Sequence, residues 1–325
     1  MIKISNIKNR ISNFTKKEKG QTKSQFKRFL FGMKFTDGYL YKLAIYTMLV
    51  GLGYIYLYPM LYMLSYSFMT MNDIIDVSVN WVPSKITFEN YRIVWQAINY
   101  PRALLDAVIL AGAPALSATV SSALIGFGFA KYDFPFKKIL MALMILTFII
   151  PPQITMMPTF RMYADYNLLG SIRTFIYPAI LGQGFNGAIY ILIFYSFFKM
   201  IPNSLMESAQ LDGAGPMKIF TKIAIPLAVP AIIIVFLFSF VWYYNETYLS
   251  GLFLRGSDML TLPLRVEQFM VNYASMYPEG STARELMQSA KLAGNILAIL
   301  PLLILFFFTQ KYFVEAIDKT GITGE

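Results

Sequence analysis

The sequence predicts an all-α membrane protein with about six transmembrane helices, and three observations predict it. First, 56% of the 325 residues are hydrophobic and only 14% are charged, where a soluble domain carries about 25% charged residues. So few charges do not cover the surface of a water-soluble globule this large, and a bilayer is the natural solvent for the rest. Second, six apolar stretches each approach the ~20 residues a helix needs to cross ~30 Å of hydrocarbon. Third, Lys and Arg concentrate in alternate connecting segments. There is no Cys and no His. Disulfides, thiol chemistry, Cys or His zinc sites and imidazole acid–base catalysis are therefore excluded.

Residues 1–40 read as a basic cytoplasmic N-terminal tail. They include Lys3, Lys8, Arg10, Lys16, Lys17, Lys19, Lys23, Lys27, Arg28 and Lys34 against Glu18 and Asp37. A secretory signal would place an apolar stretch of roughly 7–15 residues soon after a short basic start. Here the first apolar run begins near residue 41, so the tail is expected to be retained. It is either a solvated disordered segment or a basic helix on anionic lipid. Residues 41–313 form the expected transmembrane domain, and 314–325 a short cytoplasmic tail.

The spans are expected at 41–66, 104–130, 139–160, 174–198, 223–245 and 288–313. Pro59, Pro114, Pro151, Pro152, Pro226, Pro230 and Pro301 lie in or near them; membrane helices tolerate proline where neighbours satisfy the freed carbonyls. In the second span Ala118, Ser122 and Gly126 recur every four positions. They form a small-residue face suited to close packing against another helix. An even number of spans puts both termini on one side. The tail through Lys42, the loops 131–138 and 199–222, and the chain from Lys311 hold 19 of the 28 basic residues. That excess places both termini in the cytoplasm. The net charge of +10 is thus a topology signal, not a nucleic-acid signal. The outside loops near 67–103 and 249–287 carry Trp81, Tyr91, Trp95, Tyr273 and Tyr277, aromatics of the kind found at membrane interfaces. No internal repeat is visible. Acids near the spans are few, Asp106 and Glu246 lying near ends.

The most informative stretch is 201–226, IPNSLMESAQLDGAGPMKIFTKIAIP. Ser204 and Glu207 form an S-x-x-E capping-box pair, predicting a helix over 205–212. Asp212-Gly213 predicts its end, with Gly supplying a positive φ. Gly215-Pro216 restarts a second helix with Pro in the first turn. A short stiff helix presenting Ala209 and Ala214 suits a groove on a partner; the alternative is an ordinary capped interhelical loop.

This segment resembles the EAA loop of binding-protein-dependent ABC importer permeases: EAA, three residues, G, then about nine residues to an I-x-L-P-like end. Glu207-Ser208-Ala209 and Gly213 match, with Ser for the middle Ala, and Ile223-Ala224-Ile225-Pro226 matches the end loosely. ESAQLDGA resembles the carbohydrate branch, the relatives of the maltose permease pair. So do LYPMLYMLSYSF at 57–68, WVPSKITFENYRIVW at 81–95, FGFAKYDFPFKK at 127–138, IPPQITMMPTFRMYADYNLLGS at 150–171, FVWYYNETYLSGLFL at 240–254, TLPLRV at 261–266 and QKYFVEAI at 310–317. The pattern is that of the second, shorter permease of the pair, and the basic tail is longer than that type usually carries.

The resemblance implies a MetI-like permease fold, and a heterodimer with a second homologous permease subunit. It also implies two cytosolic ABC ATPases, an extracytoplasmic sugar-binding protein, and a cell-membrane location among lipid. Glu207, Ser208, Ala209, Asp212, Gly213 and Ala214 would then couple to an ATPase. The sequence has no G-x-x-x-x-G-K-[ST] loop to cradle phosphates. The chain is therefore expected to be no enzyme and to bind no cofactor, with ATP and Mg on the partner subunits and no nucleic-acid partner.

Sugar passage needs polar groups matched to hydroxyls and aromatic faces beside them. Gln153, Thr155, Gln183, Asn186, Asn245 and Glu246 are the polar candidates; Tyr243, Tyr244 and Phe185 are the aromatic ones. Each has a structural alternative, an amide or hydroxyl bonding across the bundle. Glu246 stands out because an acid near hydrocarbon is costly to keep, as a sugar contact, a gate or an interhelical bond. An ion-coupled secondary sugar transporter is the rival reading, and it lacks the coupling-ion sites and repeat that it would need. A membrane enzyme lacks a paired-acid constellation.

Overall fold

The computed structural model describes residues 38–275 and 287–320. Most of the basic tail, Tyr277 and the last five residues lie outside the described residues. Every regular element among the described residues is helical. In order they are α1 (Tyr39–Ser67), α2 (Met71–Ile75), α3 (Glu89–Ala97), α4 (Tyr100–Lys131), α5 (Lys137–Ile149) and α6 (Pro152–Asp165). Then come α7 (Arg173–Ile180), α8 (Gly187–Met200), α9 (Asn203–Leu211), α10 (Pro216–Ile219), a π-turn over Phe220–Ala224, and α11 (Ile225–Leu227). The series ends with α12 (Val229–Asn245), α13 (Tyr248–Phe253), α14 (Leu262–Ser275) and α15 (Met287–Thr320).

The chain divides into two compact units, Met1–Leu64 and Ser65–Glu325. The described part of the first is the body of α1. At 29 residues α1 is long and apolar enough to span a membrane, its length being about 44 Å at 1.5 Å per residue. It runs through Pro59 without a break.

In the second unit, α4 and α15 are the continuous spans. The other three expected spans are not single helices. The stretch 139–160 is cut at Ile150-Pro151, where α5 and α6 meet at 97°. Pro151 and Pro152 cannot donate to the carbonyls behind them, and Pro clashes with the preceding turn. The stretch 174–198 is cut over Leu181–Asn186 into α7 and α8. Gly182 (φ 74°) and Asn186 (φ 56°) are left-handed there, a conformation that Gly takes freely and Asn tolerates. The stretch 223–245 begins in the π-turn, and an 80° bend separates residues 216–227 from α12. Pro226 has no N–H for the Lys222 carbonyl, and the turn before it widens. The last helix continues beyond the expected end of its span, to Thr320.

The spine of this unit is α4, which packs against α8, α12 and α7. Ala118, Ser122 and Gly126 are buried on it as expected. A Cβ at Gly126 would stand 2.6 Å from Phe194 Cβ and 3.0 Å from the Ile191 carbonyl oxygen, so only Gly admits so close a crossing. Around α4 the core gathers into two clusters. One includes Tyr100, Phe175, Tyr243, Tyr244, Phe253, Leu262 and Leu297. The other includes Phe127, Phe194, Phe198, Met206, Ile219 and Phe220.

The loop after α1 is more structured than its mixed composition suggests. Thr70 and Asp73 make a reciprocal capping box on α2, and Ser84 Oγ donates to Asp73. Those hydrogen bonds, Ser84's foremost, hold the Asp73 carboxyl below its usual pKa. Asn90 donates to the carbonyls of Ser67 and Met69 at 2.9 and 3.0 Å. Trp95 stacks on Tyr100 at 4.4 Å.

Pro301 removes the N–H that the Leu297 carbonyl would otherwise receive. The Tyr100 hydroxyl supplies the missing donor at 3.0 Å, from a buried position. The Tyr244 hydroxyl donates to the next carbonyl, Ala298, at 2.8 Å. Replacing Tyr100 with Phe orphans the Leu297 carbonyl and should cost about 1–3 kcal/mol. Thermal melting of the detergent-purified protein measures this. A Tyr100→Phe variant that melts with the parent would remove the hydroxyl from this role.

Candidate functional site

The segment that the sequence singles out is a two-helix elbow. Its first helix, α9, begins at Asn203, two residues earlier than expected, and Pro202 is its N-cap without a side-chain hydrogen bond. The Ser204–Glu207 capping box is therefore not formed. Pro202 sets the start of the helix itself, and Ser204 falls inside the first turn, beyond the cap position.

The end of α9 is as expected. Asp212 is the C-cap and Gly213 has φ 76°. The Gly213 N–H donates to the Gln210 carbonyl at 3.0 Å and the Ala214 N–H to the Ala209 carbonyl at 2.9 Å. These two bonds together are a Schellman motif. Gly215-Pro216 then opens α10 with Pro in its first turn.

Which face of α9 is free departs from expectation. Ala209 and Ala214 are half-buried and pack against this chain's own core, beside the buried Met206. They do not present themselves to a partner. Ser204, Glu207, Ser208 and Leu211 lie on the opposite side by the i, i+4, i+7 spacing of a helix, and all are exposed. Leu211 is 90% exposed. A leucine so exposed at the tip of an anchored helix is an apolar knob.

The anchoring comes from both sides. Phe198, just before α9, and Phe220, just after α10, flank Phe127 of α4 with ring centroids at 5.4 and 5.1 Å. One turn further along α4, Lys131 Nζ donates to the Ile201 carbonyl at 2.5 Å and to Asn203 Oδ1 at 3.0 Å. Ile201 is the C-cap of α8. The ammonium therefore sits where the α8 dipole ends and α9 begins.

The expected sugar-contact residues separate into two groups. Tyr243 and Tyr244 are buried and their hydroxyls are engaged internally: Tyr244 with Ala298, as above, and Tyr243 accepting from the Phe185 N–H at 3.3 Å. The Phe185 and Tyr243 rings lie 4.8 Å apart. Glu246 accepts from the Leu249 N–H at 2.7 Å, at the start of α13. Gln153, Thr155, Gln183 and Asn245 are exposed, and Asn186 is half-buried. Tyr243 thus meets the α7–α8 break that carries Gln183, Phe185 and Asn186. Gln153 and Thr155 stand apart, in the first turn of α6.

Two charged constellations were not singled out from the sequence. Lys131 is one. The other is Asp106, whose side chain is 3% exposed and lies 3.1 Å from Arg102 Nε and 3.2 Å from an Arg265 terminal nitrogen. The i, i+4 spacing of Arg102 and Asp106 is legible in the sequence; the partner 159 residues away is not.

Comparison with known proteins gives the family and the fold. The family described as "Binding-protein-dependent transport system inner membrane component" matches residues 122–319. The arabinooligosaccharides transport system permease protein AraQ of Bacillus subtilis is 25% identical over 288 residues, covering 88% of this chain and 97% of the relative. The polygalacturonan/rhamnogalacturonan transport system permease protein YtcP of the same organism is 28% identical over 290 residues, covering 88% and 99%. The fold is that of a chain in a bacterial ABC transporter involved in the import of the acidic polysaccharide alginate. That chain aligns with a TM-score of 0.71 at 20% identity, covering 84% of this chain and 96% of the other.

The Schellman end makes a local prediction. No atom outside the loop stands within 4 Å of a Cβ at Gly213, so a substitution there meets only backbone strain. Gly213→Val should cost roughly 1–2 kcal/mol, and Gly213→Asn less. Hydrogen exchange of the peptide spanning 203–216 should rise in the order Gly, Asn, Val, with the spans unchanged. Equal protection in all three would show that the positive φ is not what ends α9.

Proposed function

The chain belongs to the family of binding-protein-dependent transport system inner membrane components, and from that premise we propose that it is the permease subunit of an ATP-driven importer of an oligosaccharide. It is a transport subunit and not an enzyme. The carbohydrate reading is supported by relatives named for arabinooligosaccharides, for polygalacturonan and rhamnogalacturonan, and for melibiose, raffinose and stachyose. The ATPase-coupling reading is carried by one observation: α9 is clamped to the core on one face and holds Glu207, Ser208 and Leu211 free on the other.

In this reading a second, homologous permease completes the pathway. Two cytosolic ATPases hold ATP and Mg and dock on the two α9-type helices, and an extracytoplasmic binding protein delivers sugar. Leu211 fills a cleft on the ATPase, Glu207 meets a basic group at the cleft rim, and Gly213 fixes the angle at which the helix is offered. Ala209, Asp212 and Ala214 position the helix and do not touch the partner. Gln153, Gln183 and Asn245 face the sugar, and the Thr155 hydroxyl donates to the Pro152 carbonyl at 3.2 Å. Tyr243, Tyr244 and Glu246 hold the backbone of the wall behind them.

Crosslinking tests the coupling face, and the native chain has no Cys to interfere. In the assembled complex Ser208→Cys and Leu211→Cys should crosslink to the ATPase, and Ala209→Cys much less. Crosslinks from the 131–138 loop alone would overturn the assignment. Gly213→Val should lower uptake while the complex still assembles.

Orientation follows from the distribution of basic residues, with both termini in the cytoplasm of a lipid-embedded, multi-pass chain. Reporter fusions after residues 90 and 210 should read outside and inside respectively. The same side for both would refute the six-span arrangement.

A further inference from the structure

Three elements meet at the base of α9: the end of α4, the end of α8, and the segment from α10 into α12. Two of them are jointed. The bend of 74° between α8 and α9 and the break at Leu181–Asn186 bound α8 at both ends. The π-turn and the 80° bend interrupt the path into α12. Only α4 leaves this base as an unbroken helix, 32 residues from Lys131 back to Tyr100, or about 48 Å.

It is fastened by charge at both ends. At one, Lys131 binds the Ile201 carbonyl and the Asn203 side chain. At the other, Asp106 is buried against Arg265 of α14 and braced by Arg102. Arg265 also donates to the Asp258 carbonyl. It lines a cavity of about 400 Å³ together with Ile98, Gln268 and Asn272. The position of α14 on α4 therefore sets the wall of that cavity.

We propose that α4 is the rigid member that carries displacement of α9 to α14 and its cavity, with Lys131 and the Asp106–Arg265 pair as its two fasteners. This rests on the docking of α9 to an ATPase. Jointed helices absorb a push in their bends, whereas a continuous helix moves as one body. Polar fasteners suit such a part. They hold by direction and distance, and removing one partner leaves a buried group unpaired and the joint loose. Lys131 and Asp106 are positioning residues here; they act through α9 and α14.

The test uses the whole complex, with partner subunits stripped of cysteine, in lipid nanodiscs. Gln268→Cys, exposed at the cavity, reports by its rate of labelling with a charged maleimide, with and without ATP and vanadate. The parent should show a severalfold change in rate on nucleotide trapping. Lys131→Met should abolish that change, and Lys131→Arg should restore it. Asp106→Asn should abolish it from the other end, and Lys131→Met with Asp106→Asn should lose no more than either alone. In every variant Ser208→Cys should still crosslink to the ATPase, which shows assembly intact. A surviving crosslink with an undiminished rate change in Lys131→Met overturns the proposal alone, as does a parent whose rate does not respond to nucleotide. A parent that forms no crosslink overturns the docking reading, and the proposal with it.

Discussion

In hydrocarbon a backbone carbonyl or amide without a partner costs several kcal/mol, and this chain repeatedly breaks its helices where that cost applies. Several of these interruptions are answered by a specific donor or acceptor. Pro301 frees the Leu297 carbonyl, and the Tyr100 hydroxyl takes it. The α7–α8 break exposes the Phe185 N–H to the Tyr243 hydroxyl, and the Ala179 carbonyl at its edge accepts from Ser121 at 2.6 Å. The end of α8 leaves the Ile201 carbonyl, and Lys131 reaches it. All four of these partners sit on α4 or α12. The break positions thus dictate which helices must stand beside them, and the bundle follows from that pairing.

The same constraint divides the polar residues by role. A hydroxyl committed to a carbonyl inside the wall is not available to a passing sugar. Tyr243 and Tyr244 look like stacking platforms in the sequence, yet both rings are in the core and both oxygens are engaged. Glu246 is costly near hydrocarbon, but its carboxylate accepts the Leu249 N–H, and a charge-assisted bond of this kind offsets part of the desolvation. The polar side chains left over are exposed ones near the breaks, the residues proposed to face the sugar. Breaks and candidate contacts coincide at Gln183 and Gln153.

How much of this was legible in the sequence follows the range of the interaction responsible. Hydropathy located six apolar stretches, and α1, α4 and α15 fall on three of them as single helices. The Ala118–Ser122–Gly126 face announced a close crossing because small side chains at one helical spacing permit little else. Gly213 announced the end of α9 because the αL requirement is local. The Ser204–Glu207 pair misled because Pro202, with its fixed φ, claimed the cap position first. The prolines at 151, 152 and 226 were visible, but whether a membrane helix bends or merely kinks at proline depends on what surrounds it. In the sequence Ala209 and Ala214 suggest an outward face, because small residues suit a partner's groove. They equally suit Phe220 and Met206 in the chain itself, and only tertiary structure distinguishes the two. The Asp106–Arg265 pair joins residues 159 apart and has no local signature.

In the coupling role proposed for it, α9 needs two properties that conflict. It must expose enough apolar surface to hold a partner, and it must not pivot when that partner moves. Exposure of Leu211 meets the first need, since burying a leucine side chain yields about 1.5–3 kcal/mol. The second is met away from the contact face. Phe198 and Phe220 hold both entry and exit against Phe127, and the Schellman end fixes the elbow without a bulky side chain. Aromatic packing around Phe127 and the ammonium of Lys131 at the helix start tie α9 to α4. The small residues at 208, 209, 213 and 214 follow from this arrangement. Ala209 and Ala214 let the core close beneath the helix, Gly213 turns the chain, and Ser208 leaves Leu211 unobstructed.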